Sequence, residues 1–312
     1  MQTRFFNSKI FVFLNAENMR IIMDKKLKVF LSVCFGISFI AGGAFYLLGG
    51  DLSSTTGMCF ASAYMLIPLI SVIITQLIFG EKPFSDVGVS FKVNKWWFVA
   101  WLLMPIINIL AMLCSTLLPD VSLDPNSELV KIAIADMSTK GLEVDGWGLL
   151  AITIVGSLFA GLTVNAFFAF GEEVAWRGFL PRVMSAWGFW KKSLIIGAIW
   201  GFWHSPLILM GHNYPDHPEV GVFMMMLLCI TMTPLFLHLR EKAGSTIAAA
   251  IAHGTLNGSA GISVLYLSGG SDLLCGSTGL VGIMILVILD FMIYLLRKKQ
   301  YYSLKEYGVY GK

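Results

Sequence analysis

Charge is what this sequence has least of. Of its 312 residues only 13% are charged, while 56% are hydrophobic, and mean hydropathy is +0.75. A soluble domain carries about 25% charged residues. The shortage excludes a disordered chain, which needs high charge and low hydrophobicity. It also argues against a soluble 34 kDa globule, whose surface would lack polar cover. The net charge of +3 falls in short clusters. No continuous basic face results, so no nucleic-acid partner is expected. Cysteine offers no framework either. Cys34, Cys59, Cys114, Cys229 and Cys275 are odd in number and unpaired in spacing, and read as small core residues. Internal repeats and low-complexity tracts are missing, as are an HExxH zinc helix and a Ser or Cys nucleophile with a paired base. No A-x-A site follows the first apolar stretch, which therefore reads as a retained span rather than a cleaved signal.

Apolar runs are what the sequence has in quantity. A membrane helix needs about 20 mostly apolar residues. Eight segments qualify or nearly do, at 29–48, 57–79, 96–118, 147–170, 193–209, 221–239, 246–267 and 280–296. The expected fold is all-α, a polytopic membrane helix bundle of about eight transmembrane helices. Lys and Arg set its orientation. They occupy the N-terminal segment (Arg4, Lys9, Arg20, Lys25, Lys26, Lys28), the second loop (Lys82, Lys92, Lys95), the fourth (Arg182, Lys191, Lys192), the sixth (Arg240, Lys242) and the tail (Arg297, Lys298, Lys299, Lys305, Lys312). The first, fifth and seventh loops have none, and the third, 119–146, has two Lys against six acids. This alternation places both termini in the cytoplasm. Trp96, Trp97, Trp101, Tyr294 and Tyr301 sit where interfacial anchors would. The chain divides into a cytoplasmic segment 1–28, accessory helices one to three at 29–118 and an external loop 119–146. Helices four to seven follow at 147–267, then a last helix with a basic tail at 268–312. The external loop reads as a connector that could hold a short outer helix. Residues 1–24 read as dispensable, with Met23 before Asp24-Lys25-Lys26 a natural start. The protein is expected to be integral to the membrane, the plasma (inner) membrane if bacterial, with the lipid bilayer as its constant partner.

Ionisable groups inside hydrocarbon are expensive and usually functional. The first set is Gly171-Glu172-Glu173-Val174-Ala175-Trp176-Arg177. A hydropathy window ends the fourth span at Phe170. Yet Trp176, Phe179 and Leu180 follow, and the first breaker is Pro181, so the helix is expected to continue to Leu180. At about 1.5 Å per residue Glu172 then lies about 12 Å inside its helix end. His204 lies about 16 Å along the fifth span, His253 about 12 Å and Asn257 about 18 Å along the seventh. Three helices thus place polar groups at similar depth in the cytoplasmic half. Glu173 and Arg177 are spaced i,i+4 and can pair, which leaves Glu172 available with Trp176 at its own i+4. His253 and Asn257 share a face, and Gly254 with Gly258 lets another helix approach closely. A carboxylate and an imidazole on one cavity can hold and deprotonate a water. His253 and Asn257 could donate hydrogen bonds to an oxyanion. Glu172, His204 and His253 are also a feasible zinc set, so metal-bound and metal-free water both stay open. His212 and His217, beside Pro215 and Pro218, read as solvated loop residues, and His238 as interfacial. Asn108 and Asp290 lie inside spans, the latter without a nameable partner. Thr231, Thr233 and Pro234 suggest a kink.

The order EExxxR, then aromatic-xxx-His, then HxxxN on successive late helices resembles the CPBP intramembrane protease family. That family covers CAAX prenyl endopeptidases and bacterial relatives linked to bacteriocin processing and self-protection. The matching stretch is roughly 149–267, with Glu172, Glu173 and Arg177, then Trp200 and His204, then His253 and Asn257. Trp200 stands where the family often has Phe. The resemblance implies that Glu172 and His204 activate water, His253 and Asn257 stabilise the oxyanion, and Glu173 with Arg177 supports them. It further implies a peptide or lipid-linked protein tail as substrate. Two other readings start from the same residues: a non-catalytic membrane scaffold or immunity protein, and a proton-coupled transporter using Glu172, His204 and Asp290.

Overall fold

The structure, a computed structural model, describes residues 2–306, with side chains for 21–300. Met1, the side chains of Arg4, Lys9, Arg20, Tyr301 and Lys305, and Lys312 lie outside the described part, so the choice between Met1 and Met23 as start does too. The described part is a helix bundle, as expected. α1 is Gln2–Leu47. The second apolar segment folds as two pieces, α2 (Thr55–Tyr64) and α3 (Ile67–Ile78), with Pro68 in the first turn of α3. There the missing N–H of proline costs nothing. α4 (Lys95–Ser115) starts where the Asn94 side chain accepts from the Trp96 N–H. Next come β1 (Ser122–Leu123) and α5 (Glu128–Thr139), a short helix capped by Ser127 within the external loop.

The fourth segment departs from a single straight span. α6 (Gly146–Leu162) and α7 (Val164–Glu173) meet at Thr163, whose φ −123 and ψ −105 lie outside the helical region. The two pieces are bent by 52°. The chain then stays helical past Leu180, as expected, but by way of a π turn at Val174–Phe179 and the short α8 (Leu180–Val183). The fifth segment is likewise broken, into α9 (Phe189–Trp203) and α10 (Ser205–Leu209), with His204 at the joint and Pro206 opening the second piece. α11 (Pro218–Ala243) runs unbroken through Pro234 and ends at Gly244, where φ is +70. α12 (Thr246–Tyr266), β2 (Leu267–Ser268) and α13 (Leu280–Glu306) complete the chain.

α12 is the centre of the bundle, packed on α4, α6 and α7, while α11 packs on α9 and α13. Small residues permit this. A Cβ on Gly254 would come within 2.6 Å of the Ala166 backbone nitrogen, so α7 crosses α12 at backbone contact. Among the described residues five spans are long and apolar enough to cross a membrane, with α2 and α3 together making one of them, or six if the bent α6–α7 pair is also one span. Eight were expected. The others fall short because α9 has only 15 residues and because α12 carries the polar residues described below.

Hydrogen bonds sort the loops onto two ends. At one, Lys26 binds Glu81, Arg182 binds Glu81 and Asp86, Asn94 binds the Lys242 and Ala243 carbonyls, and Arg297 binds Glu241. At the other, β1 pairs antiparallel with β2, Ser127 binds the Leu265 carbonyl, and Asp272 takes the Asp216 N–H and the His217 ring. The loops rich in Lys and Arg gather at the first end, and the fifth and seventh, which have none, gather with the acid-rich third at the second. The Trp101 indole donates to the Leu158 carbonyl of α6 at 2.9 Å. Asn108 finds its partners on α12, the Ser259 hydroxyl at 2.7 Å and the Leu256 carbonyl at 3.2 Å. Among the described residues Asp290 has no hydrogen-bond partner, and its Oδ1 is buried.

Candidate functional site

Glu172 and Glu173 close α7, immediately before the π turn. The wider turn returns the chain to α8 with the Leu180 N–H on the Ala175 carbonyl, and single π turns of this kind recur at functional sites. The i,i+4 spacings survive across it. Arg177 Nη1 donates to Glu173 Oε1 at 2.9 Å, and Trp176 Nε1 donates to Glu172 Oε2 at 3.2 Å. Both glutamates and Arg177 are buried. The Arg177 guanidinium lies 4.1 Å from the Trp200 ring centre and 4.6 Å from that of Phe236. Two aromatic faces therefore supply cation–π stabilisation where water cannot. Its Nε and Nη2 have no other partner among the described residues.

α9 contributes a second indole. Trp200 Nε1 donates to Glu172 Oε2 at 2.6 Å, so a single carboxylate oxygen receives both tryptophans. His204 Nδ1 lies 2.9 Å from the Trp200 carbonyl. A carbonyl only accepts, so Nδ1 carries the proton and Nε2 is left as an acceptor. α12 contributes His253, whose Nδ1 meets Glu173 Oε1 at 2.9 Å and whose Nε2 stands 4.0 Å from Glu172 Oε1. The latter gap is too long for a direct hydrogen bond.

These groups face one cavity of about 320 Å³, lined by Glu172, Trp200, His204, His253 and Asn257. That volume is at the small end of the ligand-pocket range, roughly 300–1,000 Å³. Asn257 is exposed to it and makes no hydrogen bond within the described chain. Of the residues singled out in the sequence, Glu172, Glu173, Arg177 and His253 are in direct contact. His204 and Asn257 border the same cavity, one turn beyond Trp200 and His253. His212 departs from the solvated reading, because it lines this cavity too. Two participants were not singled out: Phe236 beneath Arg177, and Asn165, which lines the cavity and donates to the Gly254 carbonyl at 3.2 Å. Trp200, noted in the sequence only as the aromatic of its motif, acts as a donor to Glu172. Asn165 did leave a signal, since it is a lone amide within an apolar stretch.

A zinc ion on Glu172, His204 and His253 is not favoured by this arrangement. Among the described residues no three His, Cys, Asp or Glu side chains are placed to hold a metal ion. One oxygen of Glu172 is also occupied by two indole donors. What the residues do offer is a desolvated carboxylate, an imidazole with a free acceptor nitrogen, and an unengaged amide around space for a peptide bond.

A comparison with curated proteins finds no match. The family model for Rce1-like proteins, described as type II CAAX prenyl endopeptidases, matches residues 147–259. The matched stretch holds all three of the motifs on α7, α9 and α12. Over residues 147–259, about a third of the chain, the protein is therefore similar to the Rce1-like family of type II CAAX prenyl endopeptidases.

Proposed function

We propose that the protein is a CAAX-type intramembrane endopeptidase that hydrolyses a peptide bond in a lipid-linked protein tail, with Glu172 activating the attacking water. The observation that carries this reading is the Glu172 carboxylate. It is buried at the inner end of a cavity, held by two indole donors and 4.0 Å from the His253 ring. One oxygen is fixed and the other is free to take a proton from water. Residues in such reach act as general bases. His204, proton on Nδ1, accepts at Nε2 and shares the water. Attack on the carbonyl puts negative charge on its oxygen. Asn257 donates to that oxyanion, as does His253 once its Nε2 is protonated, with the Glu173 carboxylate behind the ring carrying the countercharge. Glu172 then returns the proton to the leaving amine. Arg177 fixes Glu173, so its role is positional.

The test is cleavage of a prenylated Cys-aliphatic-aliphatic-Met peptide by the purified chain in lipid nanodiscs. Glu172→Gln keeps the side-chain shape and removes the base. Cleavage is expected to fall at least 1,000-fold, in keeping with about 10²–10⁴-fold for acid–base catalysis together with lost activation of water. Retained cleavage by a folded Glu172→Gln protein would overturn the reading.

A further inference from the structure

The helix break at His204 leaves backbone carbonyls to be satisfied, and one of the groups that does so comes from outside residues 147–259. Pro206 has no N–H to give to the Phe202 carbonyl four residues back. Leu207 gives its N–H to the His204 carbonyl, three residues back instead of four. His204 likewise bonds three back, to Gly201, which releases the Trp200 carbonyl. Buried carbonyls need partners, and each of the three has one. The Ser205 hydroxyl donates to the Phe202 carbonyl at 2.5 Å. The Tyr64 hydroxyl, at the end of α2, donates to the Trp203 carbonyl at 3.2 Å. The His204 ring takes the Trp200 carbonyl through Nδ1 at 2.9 Å.

α1 adds a second hold on the same joint. Phe30, Cys34, Ser38 and Gly42 recur every four residues and are all buried, so they form one face of the helix. Phe30 meets the Trp176 ring of the π turn edge-on, with centres 5.9 Å apart. Ser38 Oγ accepts from Trp203 Nε1 at 2.7 Å. A Cβ on Gly42 would come within 2.6 Å of the Pro206 Cβ, so α1 lies directly against the break. The Tyr64 and Trp203 ring centres are 4.7 Å apart, and the Trp203 ring meets the His204 ring edge-on at 4.7 Å. Trp203 is therefore fixed at its carbonyl, at its indole N–H and on its ring.

This fixation bears on the proton of the neighbouring imidazole. Which nitrogen of a neutral histidine carries the proton is set by the hydrogen bond that each nitrogen makes. For His204 that bond runs to the Trp200 carbonyl, which is open to the ring because the helix is broken here. In an unbroken helix the His204 N–H would take the Trp200 carbonyl, and the ring would lose its partner. Building on the hydrolytic reading above, we propose that Tyr64 and Ser38 are positioning residues for His204. By holding Trp203 at the break they keep the Trp200 carbonyl on the His204 ring. The proton then stays on Nδ1, and Nε2 stays open to the attacking water. Through these two hydroxyls α1 and α2 reach the chemistry without bordering on substrate themselves.

The test reads the tautomer directly. Full-length protein carrying ¹⁵N-labelled histidine, in nanodiscs and with the imidazoles neutral, gives nitrogen resonances for its five histidines. His204→Gln identifies those of His204 by their loss. The unaltered protein is expected to show a protonated Nδ1 and a bare Nε2. Tyr64→Phe keeps the ring and removes the hydroxyl, and Ser38→Ala removes the acceptor of the indole. Each should bring in the second tautomer, with Nε2 protonated. In cleavage of the prenylated Cys-aliphatic-aliphatic-Met peptide, each should lower kcat about tenfold or more, as small misplacements of reacting groups do, with KM within about twofold. Tyr46→Phe, at an exposed tyrosine of α1, should leave both readouts unchanged. A general loosening of the bundle would lower the folded fraction without moving the proton. Unchanged His204 resonances in both variants, a protonated Nε2 in the unaltered protein, or a changed tautomer with unaltered kcat would each overturn the proposal. Cleavage that survives Glu172→Gln would instead overturn the hydrolytic reading, and the tautomer is read without cleavage, so the two failures are told apart.

Discussion

Glu172 is held differently from its neighbour Glu173, and the difference assigns their tasks. Glu173 shares one oxygen between Arg177 and His253 at 2.9 Å each. Its charge is spent on two cations or potential cations, and it serves as the anchor of the site. Glu172 has no cationic contact shorter than 4.0 Å and rests on neutral indole donors. It therefore keeps its basicity for a water. The Trp200 donor is the shorter of the two, and hydrogen bonds to a charged group contribute about 1.5–3 kcal/mol. Trp200→Phe keeps the ring above Arg177 but removes that donor. Peptide cleavage should then fall roughly 10- to 100-fold, with Trp176→Phe less harmful, as steady-state kcat/KM of the two variants would show.

At the level of elements, close helix packing is what brings the motifs together. On α9, Gly197 and Gly201 lie against the α11 backbone. A Cβ on either would come within 2.5 Å of the Ile230 or Met226 Cα. This small-xxx-small step matches that of Gly254 and Gly258 on α12. It holds Trp200 and His204 against the α11 face that carries Phe236. Gly197→Leu should push the helices apart, at a cost of about 1–3 kcal/mol or more for overpacking. A lowered melting temperature in detergent, with Gly36→Ala as control, would register it. No neighbour lies within 4 Å of a Gly36 Cβ, so the control should not destabilise. On α11, Thr231 and Thr233 bond back to the carbonyls of the preceding turn, and the helix passes Pro234 without a break.

For the whole molecule, a carboxylate held by several donors helps fasten each end of the bundle, Glu81 at one and Asp272 at the other. Burial alone would raise the Glu81 carboxyl, but hydrogen bonds and charges from Lys26 and Arg182 outweigh it and hold it below its ordinary value. Asp272 follows the same pattern, burial being outweighed by the His217 bond, the Asp216 N–H and the His217 charge. A depressed carboxylate stabilises the fold fully above its unfolded value, and that stability is lost as pH falls through the folded value. Ordinary Asp and Glu titrate near 3.9 and 4.3. Melting temperature should therefore hold above about pH 5 and decline below about pH 4. Glu81→Gln and Asp272→Asn should each flatten that decline, as thermal unfolding across pH 3–7 would measure. An unchanged pH profile in both variants would remove these carboxylates from the account.

Scarcity of charge determined the class of protein, because a chain with 13% charged residues can satisfy its surface only in lipid. The same scarcity exposed Glu172, Glu173, Arg177, His204 and His253. Local spacing was enough for the contacts within one helix, Arg177 on Glu173 and Trp176 on Glu172, since i,i+4 geometry is set by the helix itself. Contacts between helices were decided by packing. Trp200 reaching Glu172, Phe236 beneath Arg177 and His253 on Glu173 join residues up to 80 positions apart. No periodicity encodes such pairs. The breaks at Thr163 and His204 were equally hidden, because hydropathy averages over a bend that a single backbone angle creates. His212 shows the limit most plainly. In the sequence it is a polar loop residue beside prolines. Only the folding of two distant loops over one cavity makes it part of the wall.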